Sequence, residues 1–383
     1  MNTQKFATIR ADQFPITERY AYLDTATTGP FATSTRNAMV GYIDNRYREG
    51  MDIPDYLENW NLAEKLRYTV AAVLNADAGE IFFSGSGSDM INVFSRGIEL
   101  KENANVVTTD LSFPSTPYTW MNRVGQGNVK NAVSRNGQVP AKALFDLVDD
   151  NTAVISLCLV ENTSGFRHDI GKIGEFCQQR GIYLVLDVTQ CIGALNVDVK
   201  NTHIDYLIAT TYKWLNAPFG ISFAYASKRV LDRIRPTFVG WTGTKDRHNH
   251  SRFKLEMTEG ANRFETGNLN WLGLTAIDQS MAMYLELGKD DVEQYILGLT
   301  DYVYEKIGEL PDVGLVGPFP KKNRSGIVFL TFPKEWKLDD GIVRENGIRA
   351  HVTSETTMRI SMHFFNNRAD IDKLVAFLHS RHR

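Results

Sequence analysis

The hydrophobic pattern of this chain alternates between short, wholly apolar runs and longer stretches in which apolar residues recur at helical spacing. The short runs occupy residues 81–83, 105–109, 153–160, 182–186, 204–209 and 221–225. Runs without polar alternation are typical of strands that are buried on both faces, as in a parallel sheet between two layers of helices. The pattern therefore predicts an α/β architecture for this part of the chain.

Helical patterns separate several of these runs, and the pattern changes near residue 260. Apolar residues at 170, 173, 176 and 177 share a helical face, and Gly181 follows where a left-handed C-terminal residue belongs. Beyond residue 260 the sequence predicts a long helix over 272–287, strands over 326–332 and 358–362, and a closing helix. We predict a large domain over 21–260 and a smaller α+β domain formed by 1–20 and 261–383, including the linking helix.

Composition and charge exclude several classes of function. The chain has 383 residues, of which 43% are hydrophobic, and its 42 Lys and Arg against 45 Asp and Glu are spread along the sequence. This balance disfavours a nucleic-acid partner. No apolar run approaches the roughly 20 residues that span a bilayer, and the N-terminus lacks the hydrophobic core of a signal peptide. We therefore predict a cytoplasmic protein without a membrane partner.

Cysteines and histidines do not form a pattern of disulfides or metal ligands. Cys158, Cys177 and Cys191 fit neither a disulfide framework nor a zinc site, and we expect them to be buried. Four histidines lack neighbouring cysteines or carboxylates at ligand spacing, namely His248, His250, His379 and His382. No metal is predicted.

Two polar residues that follow buried runs are suited to hold a pyridine cofactor from two sides. Asp187 ends an apolar strand, where a carboxylate is costly to desolvate unless it meets a cation such as a protonated ring nitrogen. Lys213 stands between Tyr212 and Trp214, and desolvation there lowers the pKa of an amine and favours a Schiff base with an aldehyde. The alternatives are a helix cap for Asp187 and a solvated surface position for Lys213.

A Ser/Gly segment at 84–89 joins a predicted strand to a predicted helix and is suited to bind a phosphate. Small residues there allow backbone N–H groups and the helix dipole to meet an anion. Met90 replaces the third glycine of a dinucleotide fingerprint, and no G-x-x-x-x-G-K-[ST] motif occurs in the chain. The sequence therefore disfavours a binding site for NAD or ATP. The segment remains a candidate phosphate cradle, with a plain turn as the alternative.

Other polar and aromatic residues add candidate contacts. Gln190 and Asn162 are placed to meet a phenolic oxygen of the cofactor or to satisfy local backbone groups. Phe113 can stack on a planar ring or pack in the core. Arg359 lies in an apolar strand, where its guanidinium can clamp a substrate carboxylate or form a structural salt bridge. Candidate pocket walls are Thr27, Tyr47 and Trp241.

Six motifs, in their order along the chain, carry a resemblance to a known family. They are Tyr22-Leu23-Asp24-Thr25-Ala26, Ser86-Gly87-Ser88, Asn162, Asp187-x-x-Gln190, Tyr212-Lys213 and Phe264-Glu265-Thr266-Gly267-Asn268. Together they resemble the class V aminotransferase group, which includes cysteine desulfurases, kynureninases and isopenicillin N epimerase-like proteins. The resemblance covers nearly the whole chain and implies the fold type I architecture of transferases that depend on pyridoxal 5′-phosphate (PLP). That fold has a mainly parallel seven-stranded sheet with helices on both faces and a smaller α+β C-terminal domain.

The resemblance also implies roles for individual residues. Lys213 would carry PLP as an internal aldimine, and Asp187 would pair with the ring nitrogen. Gln190 and Asn162 would lie near the phenolic oxygen, and Phe113 would stack on the ring. The positions implied to hold a phosphate are Gly87, Ser88, Thr210, Tyr212 and Asn268. Because Asn268 matches a position that reaches the phosphate of the partner subunit, the resemblance implies a homodimer with its active site at the interface.

Two departures from the cysteine desulfurases narrow the expected reaction. Those enzymes stack a histidine where this chain has Phe113, and they carry a nucleophilic cysteine on a small-domain loop, whereas the predicted loop 349–357 has none. In the resemblance, Arg359 matches the arginine that binds the substrate carboxylate in the family. We therefore predict an enzyme that acts on an amino acid through an external aldimine and a Cα carbanion.

The step that follows the carbanion separates the candidate functions. We predict beta-elimination of the C–S lyase type without a persulfide cysteine, because this outcome needs neither a second amino acceptor nor a thiolate. A class V aminotransferase and an amino-acid epimerase are the alternatives. A noncatalytic binding module on the same scaffold is disfavoured, because the chain retains both Lys213 and Asp187.

Overall fold

A computed structural model gives the structure of the chain and describes residues 3–247 and 254–382. The helices are α1 Gln4–Gln13, α2 Ile16–Arg19, α3 Thr33–Arg48, α4 Ile53–Leu74, α5 Gly87–Gly97, α6 Ser115–Val124, α7 Ala141–Phe145, α8 Ile170–Arg180, α9 Lys228–Leu231, α10 Trp271–Leu287, α11 Lys289–Gly308, α12 Asp340–Glu345 and α13 Arg368–His379. The strands are β1 Ala21–Tyr22, β2 Ile81–Ser84, β3 Asn105–Thr109, β4 Val129–Ala132, β5 Thr152–Cys158, β6 Tyr183–Asp187, β7 Tyr206–Thr210, β8 Ser222–Ala226, β9 Gly314–Leu315, β10 Ile327–Thr331, β11 Ile348–Arg349, β12 His351–Ser354 and β13 Thr357–Ser361.

The largest sheet has seven strands in the order β2-β8-β7-β6-β5-β3-β4. Its neighbours run parallel except for β8, which is antiparallel to both β2 and β7. The predicted mainly parallel, seven-stranded sheet is confirmed. The carboxyl ends of β5, β6 and β7 meet at one edge, which is where open α/β sheets bind their ligands. Asp187, the last residue of β6, lies at this edge opposite Cys158 of β5.

The buried side chains of this sheet divide between two core clusters, one on each face. Both faces are therefore covered. Along β7, Leu207 belongs to one cluster and Ile208 to the other, and along β2 the same holds for Phe83 and Phe82. Successive side chains of a strand point to opposite faces, so a strand that is buried on both sides must be apolar throughout. This explains the unbroken hydrophobic runs in the sequence.

A second, four-stranded antiparallel sheet has the order β12-β13-β10-β9. The prediction of a loop over 349–357 is wrong, because β12 forms a hairpin with β13 in this segment. The residues of β12 are half-buried or exposed, so the strand leaves no hydrophobic run in the sequence.

The N-terminal helix contacts the C-terminal helix: Arg10 of α1 makes a paired salt bridge with Asp370 of α13, with distances of 2.7 and 2.9 Å. The predicted domain boundaries stay a prediction.

Across residues 3–247 and 254–382, no helix is both long and apolar enough to span a bilayer. The cytoplasmic location inferred from the sequence stays a prediction.

Candidate active site

The carboxyl ends of the central strands border a cavity of about 140 Å³. Many residues singled out from the sequence line it, and they come from segments that are distant in the chain. Those residues are Gly87, Ser88, Phe113, Asn162, Asp187, Gln190, Thr210, Tyr212 and Lys213. A concave site in which a few polar groups converge among apolar ones is the usual form of a cofactor site.

Lys213 lies in the connection from β7 to β8 and is the amine of this cavity. Its side chain is buried, and in the described part of the chain its ammonium group has no hydrogen bond or ion pair. Burial lowers the pKa of Lys213 to about 8, although the charge of Asp187 acts in the opposite direction. The Nζ atom lies 5.9 Å from the centre of the Phe113 ring. A larger fraction of neutral amine makes Lys213 a better nucleophile than an ordinary lysine.

We predict that Lys213 of the cofactor-free protein reacts with an amine-specific reagent with a pH midpoint near 8, because burial lowers its pKa to that value. Competitive labelling followed by mass spectrometry of the Lys213 peptide measures the midpoint. In the urea-unfolded protein, the same peptide should titrate near the ordinary lysine value of about 10.4. Equal midpoints in the folded and unfolded protein would contradict the assigned environment.

Asp187 supplies the carboxylate on the strand side of the cavity. Its Oδ1 atom accepts a hydrogen bond of 2.8 Å from the Thr189 N–H. Burial raises the pKa of Asp187, and the bonds from Thr189 and the charge of Lys213 offset this only in part. Within the described ranges, Asp187 forms no salt bridge. A cation bound against this carboxylate would compensate its desolvation, so the residue fits a protonated ring nitrogen.

The N-terminus of α5 forms a narrow cradle at another side of the cavity. A Cβ atom added at Gly87 would lie 3.2 Å from the Thr210 side chain, so a larger residue there would crowd the cavity. The Ser88 and Ser115 hydroxyls are 2.7 Å apart and line the same cavity. Free N–H groups of a first helical turn, together with hydroxyls, are suited to bind a phosphate.

Gln190 and Asn162 supply amides to the cavity. The Nε2 atom of Gln190 donates to the Ala26 carbonyl at 3.1 Å, and its Oε1 atom accepts the Trp214 indole N–H at 2.9 Å. The Oδ1 atom of Asn162 is buried and has no hydrogen-bond partner in the part of the chain that the structure describes. A buried unpaired polar atom is costly, so a polar ligand would be stabilised beside Asn162.

Arg359 of β13 is buried and joins two residues of the N-terminal segment. Its Nη2 atom donates to the Thr27 hydroxyl and, at 3.4 Å, to Asp24. Among the described residues, its Nε–H has no partner. The charge of Arg359 also lowers the pKa of Lys213, which places both groups in one electrostatic environment. A substrate carboxylate would satisfy the remaining donors of this guanidinium.

Five predicted site residues do not line this cavity within a single chain. Two of them, Arg359 and Thr27, bond to each other; the other three are Tyr47, Trp241 and Asn268. Tyr47 of α3 is 85% exposed. Trp241 and Asn268 line a separate cavity, in which the Tyr56 hydroxyl donates to the Asn268 side chain at 2.6 Å. These three residues therefore lie away from Lys213 of their own chain.

The cavity also contains residues that no sequence pattern had indicated. Thr189 bonds to Asp187 and, through its hydroxyl, accepts the Thr210 N–H at 3.1 Å. The sequence signal that could have identified Thr189 is its position two residues after Asp187. Ser115 and Cys158 also line the cavity, but a short side chain near a turn or in a buried strand carries no distinctive pattern.

The cysteines are buried, as expected, and are poor nucleophiles. Burial raises the pKa of Cys177 to about 12 and also raises the pKa of Cys158 and Cys191. In the described residues there is no group of three or more His, Cys, Asp or Glu side chains that could hold a metal ion. His248 and His250 lie outside the described residues.

Comparisons with known proteins agree with this geometry. The sequence profile of the family described as aminotransferase class V matches residues 21–374. A probable cysteine desulfurase of Borreliella burgdorferi is 24% identical over 410 residues, which cover 98% of this chain and 96% of that protein. An uncharacterized aminotransferase of Bacillus subtilis is 24% identical over 372 residues, covering 95% of this chain and 96% of that protein.

Solved structures show the same fold. The cystine C–S lyase C-DES, in complex with its reaction product cysteine persulfide, superposes with a TM-score of 0.86 at 18% identity and covers 96% of this chain and 99% of its own. The apo cysteine desulfurase from Thermococcus onnurineus has a TM-score of 0.83 at 21% identity and covers 98% of this chain and 97% of its own.

Proposed function

Because this chain belongs to the class V aminotransferase family, we propose that it is a lyase that eliminates a beta substituent, including a sulfur substituent, from an amino acid. The chain is an enzyme dependent on PLP, the cofactor of this family. When bound, PLP supplies an aldehyde that can join an amine and a cationic ring that withdraws electrons from the substrate. The observation that carries the proposal is one cavity that contains both Lys213 and Asp187.

The residues around the cavity have complementary roles in this proposal. Asp187 holds the proton on the ring nitrogen, because burial of its carboxylate favours a cationic partner. The N–H groups at the start of α5 and the Ser88 hydroxyl bind the phosphate, and Phe113 covers the ring. The amides of Gln190 and Asn162 contact the phenolic oxygen.

Lys213 moves the proton at the α carbon of the substrate, while Arg359 binds the substrate carboxylate. With a pKa of about 8, roughly one Lys213 amine in ten is neutral at pH 7, so the amine can both accept and return a proton. Arg359 is buried and already oriented by Thr27 and Asp24, which reduces the entropy lost when a carboxylate binds.

Elimination is supported by the state of the cysteines. Persulfide transfer requires an accessible thiolate. The three cysteines of the chain are buried with raised pKa values, and the hairpin of β12 and β13 contains none. Release of the substituent followed by hydrolysis to a 2-oxo acid needs no protein thiol.

We predict that the PLP-loaded enzyme, given amino acids with a beta leaving group such as cystine, releases pyruvate and ammonia without an added 2-oxo acid. A panel of amino acids scored by mass spectrometry for pyruvate, ammonia, sulfide and racemised substrate measures this. Turnover that requires a 2-oxo acid acceptor would instead identify an aminotransferase. Racemised substrate alone would identify an epimerase, and either result would overturn elimination.

We further infer that two copies associate and complete each other's sites. Apolar side chains on α3 and the start of α4 are exposed in the single chain, including Ile43 at 51%, Tyr47 at 85% and Ile53 at 70%. Exposed apolar groups that cluster on adjoining helices favour a protein interface. Asn268 borders the cavity beside this surface, where it would reach the phosphate bound by the second copy.

The wild-type protein is expected to sediment at about twice the mass of one chain. Tyr47→Glu should shift the protein toward the monomer and lower its bound PLP, because a charge would be buried at the interface. Val133→Glu is the matched control, since Val133 is 70% exposed at the sheet edge. A wild-type monomer with full PLP content would contradict the shared site.

A further inference from the structure

A closed circuit of buried hydrogen bonds connects the strand that carries Arg359 to the loops that carry Lys213 and Gln190. The His363 ring lies 2.7 Å from the Trp214 carbonyl, and the Trp214 indole N–H donates to Gln190 at 2.9 Å. Gln190 donates to the Ala26 carbonyl at 3.1 Å, and the Ala26 N–H donates to the Ser361 hydroxyl at 2.8 Å. Ser361 ends β13, two residues before His363, so the circuit closes on itself.

The chemistry of its members fixes the orientation of the Gln190 amide. The Trp214 indole is a donor only, so it must meet Oε1, and the Ala26 carbonyl is an acceptor only, so it must meet Nε2. One Nε2 hydrogen is then bound to Ala26. The second hydrogen is the one side-chain donor that Gln190 has left to offer to the cavity that it lines.

Trp214 is itself held in place by the segment that follows β13. His363 accepts the Phe364 N–H at Nδ1, at 2.8 Å, so its proton must lie on Nε2 and be donated to the Trp214 carbonyl. Burial lowers the pKa of His363 to about 3, and the ring therefore stays neutral over the pH range in which enzymes work. Trp214 is 1% exposed, so its indole N–H is shielded from bulk solvent.

We propose that Trp214 is a positioning residue for the cofactor: its indole N–H fixes Gln190 so that the remaining amide N–H faces the phenolic oxygen of PLP. This inference rests on the proposed PLP site. A hydrogen-bond donor at the phenolic oxygen would stabilise the negative charge of that oxygen. The stabilisation would be greatest when the nitrogen between the cofactor and Lys213 has lost its proton, because that proton otherwise shares the charge. The donor therefore lowers the pKa of the linking nitrogen.

The test is a spectrophotometric pH titration of the lysine-bound cofactor in the purified holoenzyme. Trp214→Phe keeps an aromatic ring but leaves Oε1 of Gln190 buried without a donor, which favours rotation of the amide. We expect the titration midpoint to rise by about one pH unit. Trp120→Phe is the matched control: this fully buried indole N–H has no hydrogen-bond partner within the described residues, so the midpoint should not move.

A double-variant cycle separates positioning from a general structural effect. Gln190→Met should raise the midpoint by a similar amount, and adding Trp214→Phe to it should change the midpoint no further, because Trp214 acts through Gln190. If Trp214→Phe does not fold, replacing Trp214 by 3-benzothienylalanine removes the N–H while keeping the shape of the ring. An unmoved midpoint, or the same shift in the Gln190→Met background, would overturn the inference.

The same samples distinguish this inference from the proposed function. Borohydride reduction of the wild-type holoenzyme should attach the cofactor to Lys213. If Lys213 is labelled and the midpoint does not move in Trp214→Phe, the role of Trp214 alone is wrong. If Lys213 of the wild-type protein is not labelled, the PLP site and the inference both fail.

Discussion

Replacing Lys213 by alanine is expected to lower kcat by at least about 10³-fold, since the substitution removes the amine that moves the substrate proton and anchors the cofactor. Lys213 is the amine that lines the cavity, and burial lowers its pKa to about 8. Steady-state turnover of the substrate found in the amino-acid panel measures the loss. The visible absorbance of the purified variant measures how much cofactor it retains.

Two further variants make this result specific to Lys213. Lys213→Arg keeps a positive charge but cannot supply a neutral amine, so it should lose as much activity as Lys213→Ala. Lys142→Ala removes a lysine whose side chain is 79% exposed and should leave turnover unchanged. Activity of Lys213→Ala within about tenfold of wild type would exclude Lys213 from the chemistry.

Replacing Asp187 by asparagine is expected to lower kcat by about 10²- to 10³-fold, because an amide cannot hold a proton on the ring nitrogen by charge. Bound PLP should also decrease. Asparagine keeps the Oδ1 acceptor for the Thr189 N–H, so the local turn is preserved. Turnover and cofactor content, each compared with Asp150→Asn at an exposed position, measure the effect.

The same substitution should stabilise the cofactor-free protein at neutral pH. Burial raises the pKa of Asp187 in the folded state, so its protonated form is preferred there. The stability that this group contributes is complete below the unfolded value of about 3.9 and is lost as pH rises through the folded pKa. Asparagine does not ionise, so the Asp187→Asn protein does not lose this stability as the pH rises. Without PLP, the melting temperature of the variant should therefore exceed that of the wild-type protein at pH 7. A lower melting temperature would show that the carboxylate is compensated by the protein alone.

The central sheet could be predicted because its strands are buried on both faces and therefore appear as unbroken apolar runs. Edge elements could not be predicted in this way. β4 lies at the end of the sheet and contains the polar pair Lys130 and Asn131, one half-buried and one exposed. β12 is likewise half-buried or exposed, so it was assigned to a loop.

The candidate site was predictable to the extent that it lies at strand ends. Asp187 and Lys213 follow buried strands whose carboxyl ends meet at one edge, so their proximity follows from the parallel topology. The contacts of Arg359 with Asp24 and Thr27 join segments more than 300 positions apart, and no local pattern encodes them. The circuit through Trp214 and His363 depends on the same kind of packing between distant segments.

Borohydride reduction of the holoenzyme followed by peptide mass spectrometry tests the covalent role of Lys213 most directly. We predict that the visible absorbance of the bound cofactor disappears and that the mass of reduced PLP appears on the peptide containing Lys213. Absence of that mass in protein saturated with PLP, or its appearance on a different lysine, would contradict the site described above.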